Sequence, residues 1–268
     1  KVEPLLEIVT DGLQLYLDAK SYTGTGPTWT SNVGNDATLI ASPAYTAANP
    51  TYFDFVPADA QYATVPAISS LSQWSVEAWF RPTDYLNAAG PQGLTSVVTT
   101  VYKEPNEPDV GAINFCLTNY DGNSSSNDIR VGFFNGYYPE GGWHLTSGLN
   151  MTPGTWYSVV GTYNSGALTQ YNNGENHYDT VNVNQPSGSG GGNIRLARRW
   201  DGETNDAQWL FPGDIAIIRI YNIALTPEEV AVYDYLKGCE LMADYKGLQK
   251  GIDWFIKNNS EAYMVLLD

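Results

Sequence analysis

The run Phe211-Pro-Gly-Asp-Ile-Ala-Ile-Ile-Arg-Ile-Tyr-Asn-Ile-Ala-Leu-Thr-Pro-Glu-Glu-Val230 restricts this chain more than any other stretch. Ile215, Ile217, Arg219 and Tyr221 alternate with Ala216, Ile218 and Ile220, so both faces of the extended chain are largely apolar. Such a strand belongs at the centre of a two-layer β structure, covered on each side. Behind it, Thr226-Pro-Glu-Glu229 predicts a helix start. Thr226 caps, Pro227 takes the first helical position, and Glu229 closes a capping box. The helical run from Val230 to Lys237 then meets Gly238, where a left-handed cap is expected.

The rest of the chain fits an all-β partner for that strand. Its 268 residues suit one large β domain or two small ones, and 19 Tyr with 8 Trp favour strands. The 26 Gly and 15 Pro break the chain into many short elements. With 13 basic against 29 acidic residues, the net charge is −16. That surface repels phosphate backbones and anionic lipid, which argues against nucleic-acid binding. No run of about 18 apolar residues is present, so no helical membrane insertion is expected. Two cysteines, Cys116 and Cys239, are too few for a disulfide framework and read as free thiols by default, with one disulfide staple between them as the alternative.

Several segments repeat the logic of strand and turn in a recognisable order. Asp11-Gly-Leu-Gln-Leu-Tyr-Leu-Asp18 alternates cleanly. It is followed by the turn Ser31-Asn-Val-Gly-Asn-Asp-Ala-Thr-Leu39 and by the hairpin from Tyr52 to Pro66. Trp74-Ser-Val-Glu-Ala-Trp-Phe-Arg-Pro82 sets Val76, Ala78 and Phe80 on one face and Glu77, Trp79 and Arg81 on the other. A strand from Thr95 to Tyr102 and a hairpin from 111–118 to 129–134 come next. Pro153-Gly-Thr-Trp-Tyr-Ser-Val-Val-Gly-Thr-Tyr163 then leads into a hairpin whose turn is Asn172-Asn-Gly-Glu175, and Asn-Gly is the favoured pair for a tight turn. Ile194-Arg-Leu-Ala-Arg198 precedes the final strand.

Taken together, these segments resemble the concanavalin A-like lectin/glucanase superfamily, in its laminin-G-like and pentraxin-like branch. The resemblance implies one all-β jelly-roll sandwich over residues 11–237 with a short C-terminal helix. Residues 1–10 are a lead-in and 238–268 an appended tail. Two departures stand out: Val56-Pro57 replaces the usual glycine of the hairpin, and Gln61 stands where an Asp is frequent. In the tail, Leu241, Tyr245, Leu248, Ile252 and Phe255 recur at helical spacing, although Gly247 and Gly251 oppose a helix. Met264 and Leu266 belong to an apolar end segment. This tail either packs on its own domain or docks on another subunit.

The superfamily contains glycosidases, which work through paired carboxylates. Retaining hydrolysis needs two about 5 Å apart. The Glu-x-Asp-x-x-Glu strand of the superfamily's glucanases is absent, and Glu77 is the lone carboxylate in the equivalent strand. His144 and His177, the only histidines, give a triad or His-rich metal site little to work with. The chain therefore reads as non-catalytic. For calcium, Asp121, Asn123, Ser125 and Asp128 place oxygens along one loop, although an ordinary polar turn explains the same residues. The resemblance adds Asp18 or Asp214 as a strand-edge ligand, while Ile215-Ala216 departs from the family's Ile-Asp-Glu. No cofactor is required by these patterns, and a structural calcium is the one candidate.

Sugar binding calls for aromatic platforms beside amides. Tyr137, Tyr138, Trp143 and His144 form one such loop, and Trp200 with Trp209 frames another; loop anchoring or a subunit interface explains them equally well. The closing pattern also resembles laminin-G-like domains of marine bacteriophage structural proteins. From that resemblance the expected function is a virion-surface structural or decoration protein, non-catalytic and glycan-adhesive. It would be part of a homo- or hetero-oligomer, with the tail as its attachment device. The alternatives are a secreted or cell-surface lectin-like module and, last, a glycoside hydrolase.

Overall fold

The structure, a computed structural model, describes residues 8–69, 71–84, 94–101, 113–118, 128–135, 142–146, 148–180, 192–198, 210–230, 238–239 and 245–258. Its early strands are β1 (Leu13–Asp18), β2 (Thr28–Trp29), β3 (Ala37–Ile40), β4 (Ala44–Thr46), β5 (Tyr52–Phe55), β6 (Tyr62–Ile68) and β7 (Trp74–Pro82). Then come β8 (Leu94–Val101), β9 (Ile113–Thr118), β10 (Asp128–Asn135), β11 (Gly142–Leu145) and β12 (Leu149–Asn150). The series ends with β13 (Tyr157–Asn164), β14 (Ala167–Asn172), β15 (Glu175–Thr180), β16 (Gly192–Leu196) and β17 (Gly213–Tyr221). Helix α1 (Tyr245–Asn258) follows in the tail.

Two antiparallel sheets make the jelly-roll sandwich. The first runs β15-β14-β13-β7-β17-β5-β4, and β1 pairs with the C-terminal half of β17. The second runs β11-β10-β9-β8-β16-β6-β3-β2, with β12 on β10. Between them lies one core containing Leu15, Leu17, Trp29, Phe53, Phe55, Trp74, Val76, Phe80, Ile194, Ile215 and Ile218. Phe53 is its aromatic hub, with ring centroids of Trp29 at 4.7 Å and Tyr22 at 5.0 Å.

β17 is central, as its composition requires, and all nine of its residues are buried. Its alternation is not strict, however. A bulge between Ile215 and Ile217, seen in the register with β7, gives the strand one extra residue on its outer face. Ile215, Ile218 and Ile220 therefore point into the core, whereas Ala216 and Ile217 lie in an outer cluster. A period of two had grouped Ile215 with Ile217 and Arg219; the bulge separates them.

Local chemistry explains the rest of the register. Asn173 and Gly174 both take positive φ, 51° and 79°, so the β14–β15 hairpin closes with a primed two-residue turn. Pro57 opens a short 3₁₀ turn, Pro57–Asp59, where the family's glycine is missing. Gln61 stabilises that turn: its Oε1 accepts from Val56 N at 2.9 Å, and its Nε2 donates to the carbonyls of Ala41 and Ser42.

The helix start is the expected capping box. Thr226 N donates to Glu229 Oε2 at 2.7 Å, and Glu229 N donates to Thr226 Oγ1 at 3.2 Å. Ser75, outward on β7, secures the approach: its hydroxyl donates to Ile223 O and accepts from Leu225 N. Leu225 and Val230 then bury against Val160, Tyr171 and Tyr221 on the outer face of the first sheet.

Gly238 corrects the expectation of a left-handed cap. It lies in helical backbone without a positive φ, and a Cβ there would overlap the indole of Trp79. Glycine is needed for close approach, not for an unusual dihedral. The tail thus begins by lying on its own domain. Cys239 is buried beside Trp79, Ala216 and Ile217, and Leu248 of α1 packs on the same cluster. α1 forms despite Gly247 and Gly251, supported by Gln249 Nε2 donating to Asp253 Oδ1 one turn on at 2.9 Å.

Candidate functional site

The outer face of the first sheet concentrates the polar chemistry of the described residues. Its register stacks outward side chains in rows across the strands. One row is Tyr16, Arg219, Glu77, Val160 and Tyr171; the next is Asp18, Ile217, Trp79 and Ser158; a third is Asp54, Asp214 and Arg81. Directly opposed side chains on one face are close enough to interact.

The first of these rows is sealed. Arg219 Nη1 donates to Glu77 Oε2 at 2.7 Å, and both side chains are 0% exposed. Trp79 Nε1 donates to Glu77 Oε1 at 2.8 Å, and the Tyr16 ring lies 4.8 Å beneath the guanidinium carbon of Arg219. Glu77 therefore spends both oxygens on protein partners, with no access to solvent. It cannot protonate a leaving group or attack a sugar from there.

The third row is open. Arg81 Nε donates to Asp214 Oδ2 at 2.6 Å, with the arginine side chain 27% exposed and the aspartate 2%. The guanidinium of Arg81 lies against two rings, 5.0 Å from the centroid of Tyr52 and 5.1 Å from that of Trp156. Those rings meet edge to face, their centroids 5.7 Å apart. Asp54 sits across from Asp214 in the ladder, and Tyr52, Asp54, Arg81 and Trp156 are all half-buried. Burial pushes the Asp214 carboxyl up to about 6; the Arg81 contact pulls the other way, and Asp54 adds to the rise. Asp54 is also raised by burial, against the pull of Arg81.

The residues singled out from sequence are distributed differently. Tyr137, Tyr138, Trp200 and Trp209 lie outside the described residues. Trp143 and His144 fall on β11, the edge of the second sheet, opposite Phe134 and Phe133. Among the calcium candidates, Asp121, Asn123 and Ser125 are outside the described residues, and Asp128 pairs with Thr118 and Asn150 in β10. Asp18 caps a 3₁₀ turn, its Oδ1 accepting from Lys20 N at 2.9 Å. Asp214 holds a guanidinium, a poor neighbour for a divalent cation. Among the described residues no three His, Cys, Asp or Glu converge to hold a metal. In the tail, Leu248 packs at home, Ile252 is half-buried and Tyr245 is 77% exposed. Phe255 lies within α1, while Leu241, Met264 and Leu266 are outside the described residues.

Sequence reasoning misses the Tyr52–Arg81–Trp156 group, whose members lie far apart in the chain. The available signal was the outward face of 74–82, which carries Arg81 two places from Trp79.

Residues 57–231 match a family described as the Concanavalin A-like lectin/glucanases superfamily, about two thirds of the chain. The chain belongs to that superfamily. Solved structures share the fold. Domain 4 of AbnA, an extracellular GH43 arabinanase from Geobacillus stearothermophilus solved with arabinotriose, is similar at 18% identity and a TM-score of 0.58. That match covers 82% of this chain and 98% of the arabinanase domain. Trypanosoma rangeli sialidase is similar at 14% identity and a TM-score of 0.56, over 87% of this chain but only 34% of the sialidase. The chain thus spans about a third of that enzyme's length. Identities this low establish the shared fold alone. No curated protein sequence matches the chain.

Proposed function

We propose that this chain is a non-catalytic carbohydrate-recognition module. The observation that carries the non-catalytic half is the sealed Glu77–Arg219 pair, which removes the central-strand carboxylate from any part in hydrolysis. Membership of the superfamily and the likeness to an arabinanase domain solved with arabinotriose support the carbohydrate half. The decisive experiment exposes the intact chain to neutral oligosaccharides and follows binding and product formation together. Binding without cleavage is expected; cleavage abolished by Glu77→Gln in a folded variant would refute the reading. Trp143→Ala and Trp200→Ala report whether the aromatic loops take part in binding.

A second reading, a virion-surface structural or decoration role in an oligomer, draws on α1. Tyr245 is 77% and Ile256 45% exposed on that helix, although Leu248 is already packed. Light scattering of the intact chain beside Tyr245→Ser/Ile256→Ser tests it: assemblies that dissolve in the double variant support docking through α1, and a monomer in both refutes it. A structural calcium ion in the 121–128 turn would show as a fall in Tm on adding EDTA; an unchanged Tm refutes it.

A further inference from the structure

The open row on the first sheet's outer face is distinct from the sealed Glu77–Arg219 pair, and its chemistry is specific. We propose that Tyr52, Asp54, Arg81 and Trp156 form a subsite for one neutral sugar residue, held through a vicinal diol. This assignment rests on the carbohydrate reading above and names the place and the ligand class.

The argument begins with preorganisation. An arginine side chain on a surface ordinarily samples many rotamers, and fixing them costs binding energy. Arg81 is already fixed, its Nε on Asp214 at 2.6 Å and its guanidinium against the rings of both Tyr52 and Trp156. Asp214 itself is buried, so it serves as the anchor rather than as a ligand contact. Arg81 keeps 27% of its side chain exposed while its guanidinium is held in a set position.

Asp54 supplies the complementary acceptor. It stands one strand beyond Asp214 in the same row and remains half-exposed. The guanidinium donor and the carboxylate acceptor flank Asp214 in one row, and Arg81 is near enough to pull on the Asp54 carboxyl; together they suit adjacent hydroxyls, one accepting from Arg81 and the other donating to Asp54. The half-buried indole of Trp156, against which the Arg81 guanidinium lies, offers its remaining apolar surface for the C–H face of a sugar ring.

Charge selects the class. An acidic sugar would approach two carboxylates, Asp54 and Asp214, on a protein of net charge −16. An amine would approach the Arg81 cation, which already lies against both rings. A neutral polyol avoids both penalties.

The test is calorimetric titration of the full chain with neutral pentose and hexose oligosaccharides, and with oligogalacturonides as the charged control. The same titrations are run on Asp54→Asn and Trp156→Leu, both checked for an unchanged melting transition. The proposal expects neutral ligands to bind, oligogalacturonides to bind at least about tenfold more weakly, and each variant to lose about tenfold or more, the equivalent of roughly 1.4 kcal/mol. Neutral binding that both variants retain within twofold overturns the subsite and leaves the module reading standing. Preference for oligogalacturonides overturns the ligand class. A wild-type chain that binds nothing in the panel overturns the carbohydrate reading and this subsite with it.

Discussion

Replacing Glu77 with Gln would measure how much the sealed row contributes to the fold. The substitution keeps the size of the side chain and an amide oxygen able to accept from Trp79 Nε1, whose bond to Glu77 is 2.8 Å. What it removes is the charge facing Arg219, 2.7 Å away, with both side chains fully buried. The Tyr16 ring at 4.8 Å remains as a partner for the guanidinium, worth about 0.5–2 kcal/mol. Removing one member of a buried pair leaves an uncompensated charge and costs about 3–5 kcal/mol. For a domain near this size each kcal/mol moves Tm by about 2–4 °C, so a fall of roughly 6–20 °C is expected. Urea unfolding read by tryptophan fluorescence gives the free energy, and a thermal scan gives Tm. The companion variant Glu77→Gln/Arg219→Met removes both charges and should recover much of the loss, because the penalty belongs to the orphaned charge. A loss below about 1 kcal/mol in the single variant, or a double variant equal to the sum of the singles, would sink the argument.

Three further outcomes follow from the same geometry. Gly238→Ala puts a methyl group into the Trp79 indole and should cost about 1–3 kcal/mol, lifting the tail enough to make Cys239 reactive toward a thiol reagent in a Cys116→Ser background; a thiol that stays protected counts against the contact. Thr226→Ala removes the hydroxyl that accepts from Glu229 N and should cost about 1 kcal/mol in urea unfolding, whereas an unchanged midpoint would mean the box is not holding the helix start. Asp214 takes up its proton at about 6 in the fold, above its ordinary 3.8, so between those values the folded state binds more protons than the unfolded one. Its contribution therefore improves stability as pH falls from about 6 toward 4 and is lost as pH rises through 6. The slope of Tm against pH in that window should flatten in Asp214→Asn; an identical slope refutes the assignment.

Much of this architecture is legible in the amino-acid order. The capping box at Thr226 and Glu229, the Asn173-Gly174 turn and the two faces of β7 each depend on chemistry within a few residues, and each appears where its local pattern puts it. Composition alone places β17 at the centre, since a strand apolar on both faces has to be covered twice. Other features depend on groups far apart in the chain. The bulge at Ala216 arises from pairing β17 with β7, and it breaks an alternation that looked complete in one strand. Gly238 resembled a helix stop because the Trp79 ring that requires it lies more than 150 positions away in sequence. Arg81, Asp54 and Asp214 come from three strands that only the sheet brings side by side, and the ring of Trp156 completes the group. The sequence by itself determined the kind of sandwich, because strand period and turn chemistry are local. Tertiary structure alone decided which charges are sealed and which meet solvent, because burial depends on what covers a side chain, and here the covering groups are distant in sequence.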